Sequence, residues 1–224
     1  MAIYRDRADA GRRLAELLIE YADRQDVLVL ALPRGGVPVA FEIAKALSAP
    51  LDVFVVRKLG VPGQPELAMG AIASGGVRVL NRDVVHALRI SEDTIESVAE
   101  SEREELARRE TVYRGERAPL EIEGRTIILV DDGLATGATM KAAVEAVREQ
   151  HPKEVIVAVP TASPDVVAVF RRIADKVVCA ATPTPFHAVG ASYERFDQTT
   201  DKEVQDYMAR ARHIEGMEDT HDRQ

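Results

Sequence analysis

Two adjacent carboxylates and a glycine–threonine turn form the part of the sequence best suited to chemistry. Asp131 and Asp132 follow the apolar run TIILV (126–130), and the turn GLATGAT (133–139) comes after them. Adjacent carboxylates accept hydrogen bonds from two vicinal hydroxyl groups, such as the 2′ and 3′ hydroxyls of a ribose. Free backbone N–H groups at the start of a helix, with threonine hydroxyls beside them, bind a phosphate group. The segment ILVDDGLATGATM (128–140) therefore predicts a site for a sugar phosphate.

Three other interpretations of this segment explain less. A Walker A loop requires Gly-x-x-x-x-Gly-Lys-Ser/Thr, whereas Gly133 and Gly137 are four residues apart and Ala138 follows the second glycine. A dinucleotide-binding turn requires Gly-x-Gly-x-x-Gly, a spacing that the sequence lacks. A turn that only caps a helix needs one acidic or hydroxyl side chain, so this interpretation does not explain the second acidic residue or the second threonine.

Alternating strand and helix patterns must position this segment. The short apolar runs are rich in branched residues and typical of buried parallel strands; they cover residues 27–32, 51–56, 126–130, 154–160 and 176–181. Helical patterns lie before, between and after them, at residues 8–24, 39–47, 141–150, after Pro164 and at 201–212. The predicted fold class is α/β, with a mainly parallel central sheet flanked by helices and a small hood or insertion. In such a fold the loops that follow the strands share one edge, where ligands bind.

The composition excludes several classes of protein. With 46% hydrophobic and 29% charged residues, the 224-residue chain is neither disordered nor fibrous. No apolar stretch is long enough to cross a membrane, and the charged start MAIYRDRADAGRR lacks the apolar core of a secretory signal. The single cysteine, Cys179, excludes an internal disulfide framework. A net charge of −8 disfavours nucleic-acid binding, so we expect a cytoplasmic protein that acts on small molecules.

The segment 128–140 resembles the motif with which type I phosphoribosyltransferases bind 5-phosphoribosyl-1-pyrophosphate (PRPP): an apolar strand, two acidic residues, then Thr-Gly-x-Thr. The resemblance implies that family's fold over about residues 27–180. It implies that Asp131 and Asp132 hold the ribose and take part in catalysis. It also implies that the 5′-phosphate is bound by the loop of Ala135, Thr136, Gly137, Ala138 and Thr139.

Two further loops fit the same resemblance. In that family the turn after the first strand binds pyrophosphate, and PRGG (33–36) stands in that place. Gly35 and Gly36 let backbone amides approach a dianion, and Arg34 adds charge-assisted hydrogen bonds. The family often has a non-proline cis peptide here, so we expect one at Pro33–Arg34.

The second of these loops follows the second strand. The family has basic residues there, then a mobile loop that closes over the reaction. Arg57 and Lys58, which we assign to the leaving pyrophosphate, and the loop-like stretch 57–70 occupy that position. VRVL (77–80) is predicted as a short strand beyond it. Glu66 is the only acidic residue of the stretch, and it is either a general acid or base or a solvated loop carboxylate.

The acceptor side of the site is less defined. In the hypoxanthine–guanine branch of the family an Asp before the Thr-Gly acts as the base on the purine, whereas this chain has Ala135, as in the adenine branch. That difference argues against a 6-oxopurine acceptor. The aromatic acceptor is usually gripped by a hood outside the core. Phe186, Tyr193 and Phe196 are candidates for it, with ordinary packing as the alternative.

We predict one phosphoribosyltransferase domain over residues 1–214, with a helical insertion at about 91–117, a hood at about 182–213 and a flexible tail at 215–224. The arginines of the insertion either cover the site and contact anions or belong to a solvated charged helix. The five histidines show no ligand spacing, so no dedicated metal site is expected. Mg²⁺ is expected to arrive with the pyrophosphate of PRPP.

The sequence thus predicts a Mg²⁺-dependent phosphoribosyltransferase, a homodimer as is usual in the family, that uses PRPP and a nucleobase-like nitrogen acceptor. The alternative is a non-catalytic regulatory protein of the same fold that senses PRPP or a nucleotide. Regulators of that kind carry a helix-turn-helix or a basic face, and neither is visible in this sequence. A hydrolase is a more distant alternative, because the chain has no Gly-x-Ser-x-Gly segment.

Overall fold

The computed structural model describes residues 2–115 and 117–221, with side chains up to residue 212. Its strands are β1 (Val27–Ala31), β2 (Leu51–Val53), β3 (Val56–Val61), β4 (Gln64–Ala73), β5 (Val77–Leu80), β6 (Thr126–Val130), β7 (Glu154–Thr161) and β8 (Lys176–Ala181). Five of them form a parallel sheet in the order β2-β1-β6-β7-β8. The predicted α/β class with a parallel central sheet is confirmed.

The helices are α1 (Arg7–Glu16), α2 (Gly36–Leu47), α3 (Arg82–Ala87), α4 (Glu92–Arg114), α5 (Ala138–Arg148), α6 (Pro164–Phe170) and α7 (Asp201–His221). They cover both faces of the central sheet because alternate strand residues point to opposite sides. In β1, Val27 and Val29 enter the core shared with α1, α2 and α7, whereas Leu28 and Leu30 enter the core shared with α5 and α6. The predicted helix at 8–24 is shorter, because a separate 3₁₀ turn follows α1 at Ile19–Tyr21.

A second sheet stands where we predicted a loop. Strands β3, β4 and β5 form an antiparallel sheet, so residues 57–70 belong to a β-hairpin rather than to a loop-like stretch. The glycine and proline content was misleading because Pro62 and Gly63 make only the two-residue turn, where Gly63 adopts a φ of 80°. The same hairpin divides the predicted strand 51–56, since β2 and β3 belong to different sheets.

The predicted insertion at 91–117 is occupied mainly by α4. Four of its side chains, those of Ile95, Ala99, Leu106 and Tyr113, are buried, so the helix is packed along one face and not wholly solvated. Its last residue, Arg114, donates from Nε and Nη2 to the two carboxylate oxygens of Asp52 in β2, each over 3.1 Å. This ion pair fixes the end of α4 to the edge of the central sheet.

The two ends of the chain meet at the carboxyl edge of the central sheet. The backbone N–H groups of Ile3 and Tyr4 donate to the carbonyl of Ser192, each over 2.9 Å. The Tyr4 hydroxyl donates to the carbonyl of Pro160, near the end of β7. Of the predicted tail, residues up to 221 continue α7, and residues 222–224 lie outside the described part of the chain. None of the described helices is long and apolar enough to cross a membrane.

Candidate active site

The acidic pair lies at the carboxyl end of β6, the middle strand of the central sheet, which is flanked by β1 and β7. Because β6 is apolar and buried along its whole length, the first polar residues after it emerge at the sheet edge. Oδ1 of Asp131 accepts a hydrogen bond from the backbone N–H of Asp132 over 2.8 Å. This bond holds the backbone at the start of the turn. The Asp132 carboxylate lies against Gly35 of the PRGG turn.

The loop after the acidic pair leads into α5 as the sequence predicts. Gly137 precedes the helix with a φ of 74°, and a Cβ there would lie 2.5 Å from the ring of Phe170. Only glycine satisfies both conditions. Ala135, Thr136, Ala138 and Thr139 are exposed, so the amides and hydroxyls around the start of α5 remain accessible to a ligand.

The PRGG turn packs directly against the acidic pair. A Cβ on Gly35 would lie 2.0 Å from Oδ2 of Asp132, and a Cβ on Gly36 would lie 2.6 Å from the carbonyl oxygen of Val130. The two glycines therefore allow the loops after β1 and β6 to touch. The Pro33–Arg34 peptide is cis, as the resemblance implied. The structure thus brings together two predicted parts of the site that lie about a hundred residues apart in the sequence.

Arg7 is a site residue that the sequence analysis missed. Its Nε donates to Oδ2 of Asp132 over 2.8 Å, and its Nη1 donates to the carbonyl of Asp197 over 2.6 Å. The guanidinium also lies 4.0 Å from the ring centroid of Phe196. No local pattern singles out Arg7, because it is one of several arginines in a charged N-terminal segment, and only the tertiary fold brings it to the acids.

Burial dominates the electrostatics of the acidic pair. It raises the pKa of Asp131 well above its ordinary value, and the charge of Asp132 raises it further. Burial also raises the pKa of Asp132, which the charge and hydrogen bond of Arg7 lower in part. If both are ionised, the two carboxylates carry more negative charge than the Arg7 guanidinium compensates. Hydroxyl donors or a divalent cation would relieve this excess, and hard oxygen ligands of this kind suit Mg²⁺.

Two of the three predicted hood residues adjoin the acidic pair. The rings of Tyr193 and Phe196 stack with centroids 4.9 Å apart, and the Tyr193 hydroxyl donates to the carbonyl of Asp132 over 2.5 Å. Burial raises the pKa of Tyr193, so this hydroxyl stays protonated. Tyr193 is buried, whereas Phe196 is exposed and its ring already contacts both Tyr193 and the Arg7 guanidinium. Phe186 lies outside this stack.

A cavity of about 470 Å³ adjoins the PRGG turn, Asp132 and Phe196, whereas the loop 135–139 is not in its lining and Ala138 faces a different cavity. The 470 Å³ cavity is lined by residues of α1, the PRGG turn, α4, the acidic loop and the C-terminal segment: Arg7, Pro33, Arg34, Gly35, Arg108, Arg109, Tyr113, Asp132, Phe196, Gln198, Thr199 and Asp201. For the α4 residues, the sequence allowed either a cover over the site or a solvated charged helix. They show that the insertion forms one wall of the site.

Three predicted residues on the hairpin lie elsewhere. Arg57 is held by Glu102 of α4, with 2.7 Å between its Nε and Oε2 of the carboxylate. Lys58 lines a second cavity of about 410 Å³ between the antiparallel sheet and the start of α5. Glu66 is exposed on β4 and is not among the residues that line these two cavities.

Known proteins resemble this chain over most of its length. A model of the phosphoribosyl transferase domain family matches residues 2–179. A protein of Mycobacterium tuberculosis strain H37Rv, named "Putative phosphoribosyl transferase Rv0571c", is 51% identical over 211 residues, which are 94% of this chain and 47% of that protein. The protein named "Putative phosphoribosyl transferase MT0597", from strain CDC 1551, matches equally over the same shares of both chains, 51% identical across 94% and 47%. The chain thus spans about half the length of these curated relatives.

A solved structure matches more completely. The crystal structure of the protein TT1426 from Thermus thermophilus is 43% identical in sequence and superposes with a TM-score of 0.82. The match covers 94% of this chain and 99% of that one.

Proposed function

The chain belongs to the phosphoribosyl transferase domain family, and from this membership we propose that it transfers the 5-phosphoribosyl group of PRPP to a nitrogen of a nucleobase-like acceptor and releases pyrophosphate. The observation that carries the proposal is the direct packing of the PRGG turn on Asp132. A diol-binding carboxylate and a dianion-binding turn then share one cavity, as a ligand with a ribose and a pyrophosphate requires.

Each part of PRPP has a proposed set of partners. The carboxylates of Asp131 and Asp132 accept hydrogen bonds from the 2′ and 3′ hydroxyls of the ribose. The loop 135–139 donates backbone N–H and threonine hydroxyl groups to the 5′-phosphate at the start of α5. Arg34 and the Gly35 amide bind the pyrophosphate in this proposal. The predicted part of the Gly36 amide does not fit the structure, because its N–H donates to the carbonyl of Leu32 over 3.1 Å, and Gly36 serves the close packing of the turn on β6. Arg57 and Lys58 remain proposed pyrophosphate ligands, and reaching that group requires the hairpin to move.

In the proposed reaction the bond between C1′ and the pyrophosphate oxygen breaks, and a bond between C1′ and the acceptor nitrogen forms. The ribose passes through an oxocarbenium-like state, and the acceptor loses its proton. Positioning of the ribose and compensation of charge therefore supply most of the rate enhancement. Mg²⁺ bound with PRPP would offset the charge of the leaving pyrophosphate. Glu66 is proposed as the general acid or base. A homodimer in the cytoplasm is the proposed form of the protein, and light scattering on the purified chain tests its oligomeric state.

The first test is release of pyrophosphate from PRPP and Mg²⁺ across a panel of purines, pyrimidines and related aromatic acids. We expect release with one acceptor, and its loss in Asp132→Asn together with weaker PRPP binding. Asp26→Asn is the matched control. Asp26 pairs with Arg24 and Lys153, and its backbone carbonyl accepts from the first residue of β6, at the opposite edge of the sheet.

The outcomes separate the candidate functions. Pyrophosphate release that persists in Asp132→Asn contradicts the placement of the ribose. PRPP binding without release for any acceptor favours the alternative, a PRPP- or nucleotide-sensing regulatory protein of the same fold. Failure to bind PRPP contradicts both.

A further inference from the structure

Three guanidinium groups at the α4 side of the 470 Å³ cavity, those of Arg34, Arg108 and Arg109, face two carboxylates, those of Glu105 and Asp201. Of the four arginines that line the cavity, Arg7 pairs with Asp132, and Arg34 lies 3.5 Å from Asp201. Arg108 and Arg109 both bind one carboxylate, that of Glu105, over 2.7 Å each. Among the described ion pairs of this lining, two guanidinium groups on α4 therefore share a single acid.

The same wall already holds a carboxylate in a defined way. Oδ1 of Asp201 accepts a hydrogen bond from the Tyr113 hydroxyl over 2.7 Å and faces the Arg34 guanidinium. Burial and the hydrogen bond to Asp201 raise the pKa of Tyr113 to about 12, so the hydroxyl remains a donor at neutral pH. Tyr113 of α4 and Arg34 of the PRGG turn thus surround a carboxylate. This side of the cavity attracts anions although the net charge of the chain is −8.

We propose that the acceptor is an aromatic carboxylate and that Arg108 and Arg109 recognise its negative charge in the cavity that Phe196 also lines. This inference rests on the proposed function and adds the chemical class of the acceptor. Arg34 and the Gly35 amide belong to the PRGG turn and are assigned to pyrophosphate. The α4 arginines remain for the other ligand, and a planar guanidinium matches a carboxylate with two hydrogen bonds.

The preference for a carboxylate follows from the shortage of anions beside Arg108 and Arg109. A neutral analogue that fills the same cavity leaves the second guanidinium without an anionic partner of its own, whereas a carboxylate completes two arginine–acid pairs around Arg108 and Arg109. The aromatic ring is then bound in the same way in both cases, so the carboxylate alone decides the preference.

The test measures binding rather than turnover. The protein is first saturated with ribose 5-phosphate, which lacks a leaving group and cannot react. Two matched pairs of compounds, nicotinate with nicotinamide and orotate with uracil, are then titrated calorimetrically. In each pair only the first compound carries a carboxylate. We expect at least one carboxylate to bind about tenfold more tightly than its neutral partner, as for the loss of one hydrogen bond to a charged group.

The double variant R108Q/R109Q is expected to remove this preference, and R108K/R109K is expected to retain part of it. R103Q is the matched control on the same helix, because Arg103 pairs with Glu96 and Glu100 and does not line the cavity. Melting curves establish that all variants fold.

Four results would overturn the proposal: neutral members that bind as tightly as the carboxylates, absence of binding by both carboxylates, a preference unchanged in R108Q/R109Q, or an equal loss of inorganic pyrophosphate binding in that variant. The last result would assign the α4 arginines to the leaving group. Because none of these readouts requires transfer, failure of the panel assay for pyrophosphate release leaves them intact.

Discussion

Arg7 and Asp132 are 125 residues apart in the chain and are joined by a 2.8 Å hydrogen bond from Nε to Oδ2. The same guanidinium donates to the carbonyl of Asp197 and lies against the ring of Phe196. One side chain of the first helix therefore ties Asp132, the proposed ribose ligand, to the C-terminal segment. The arrangement couples the position of a proposed hood residue to the ionisation of a proposed ligand for PRPP.

Replacing Arg7 by glutamine is expected to weaken both the fold and PRPP binding. Removal of the cation raises the pKa of Asp132 further and leaves a mostly buried carboxylate with fewer donors. The expected loss is about 1–3 kcal/mol in the free energy of unfolding, and about tenfold in PRPP affinity. Urea denaturation and calorimetric titration measure the two effects. Tighter PRPP binding in Arg7→Gln would mean that Arg7 blocks the ribose site instead of supporting it.

Gly35→Ala tests the contact between the two loops. The backbone at Gly35 has ordinary helical angles, φ −61° and ψ −31°, so alanine is tolerated by the backbone itself. The obstacle is Oδ2 of Asp132, which lies 2.0 Å from the added Cβ. We expect a loss of about 1–3 kcal/mol in stability, the usual cost of overpacking, and loss of PRPP binding. If the clash is the cause, adding Asp132→Ala restores part of the stability, and strictly additive losses would contradict it.

Asp131→Asn is expected to stabilise the protein at neutral pH while impairing PRPP binding. Burial raises the pKa of Asp131 well above that in the unfolded chain. As the pH rises through the interval between the two values, the folded state binds more protons than the unfolded state, and the free energy of unfolding falls. The amide keeps the Oδ1 acceptor without this penalty. Melting temperatures from pH 4 to 8 check the sign, since the advantage of Asp131→Asn must shrink as the pH falls towards the pKa of the unfolded chain.

The sequence predicted the positions of those parts of the candidate site that are contiguous in the chain. Asp131, Asp132 and the turn into α5 are contiguous, and an apolar strand followed by a helix leaves little choice about where they emerge. Gly35 and Gly36 were found in the same way, after another buried strand. Local sequence patterns were sufficient to predict the positions of both loops.

Long-range contacts account for the remainder. Arg7 and the α4 wall reach the cavity through packing between elements far apart in sequence, which no spacing rule encodes. The hairpin at 57–70 was mistaken for a loop because it contains five glycine and proline residues, of which only Pro62 and Gly63 form the turn. Pairing of β3 with β4, and of β4 with β5, decides its structure.

The pair of Asp52 and Arg114 is expected to hold the α4 wall in place. Both side chains are about nine-tenths buried, and Arg117 also lies 3.3 Å from the Asp52 carboxylate. Asp52→Asn removes the carboxylate that faces the buried Arg114 guanidinium, so we expect a loss of about 3–5 kcal/mol. Arg103→Gln, which removes an exposed pair on the same helix, should leave unfolding nearly unchanged. Urea denaturation of both variants makes the comparison, and equal losses would contradict a special role for Asp52.

The hairpin tip, residues 62–67, is exposed along its whole length and lies outside the lining of the cavity that holds Asp132. We expect it to close over bound PRPP and exclude water. A shortened variant, in which a two-residue Asn-Gly turn joins Gly60 to Ala68, retains the register of these paired residues. This variant should bind PRPP normally but transfer more slowly and hydrolyse a larger share of it, because an open site admits water to the oxocarbenium-like ribose.

Glu66→Gln separates this closure from chemistry, since it keeps the hairpin and removes one carboxylate. If Glu66 is the general acid or base, kcat falls by about 10²–10⁴ and the pH profile loses one limb. A solvated carboxylate on a lid would leave both unchanged. Product analysis by ion-exchange chromatography distinguishes transfer from hydrolysis in each variant. A shortened hairpin with the transfer-to-hydrolysis ratio of the intact protein would show that the site is closed by other elements, α4 and the C-terminal segment.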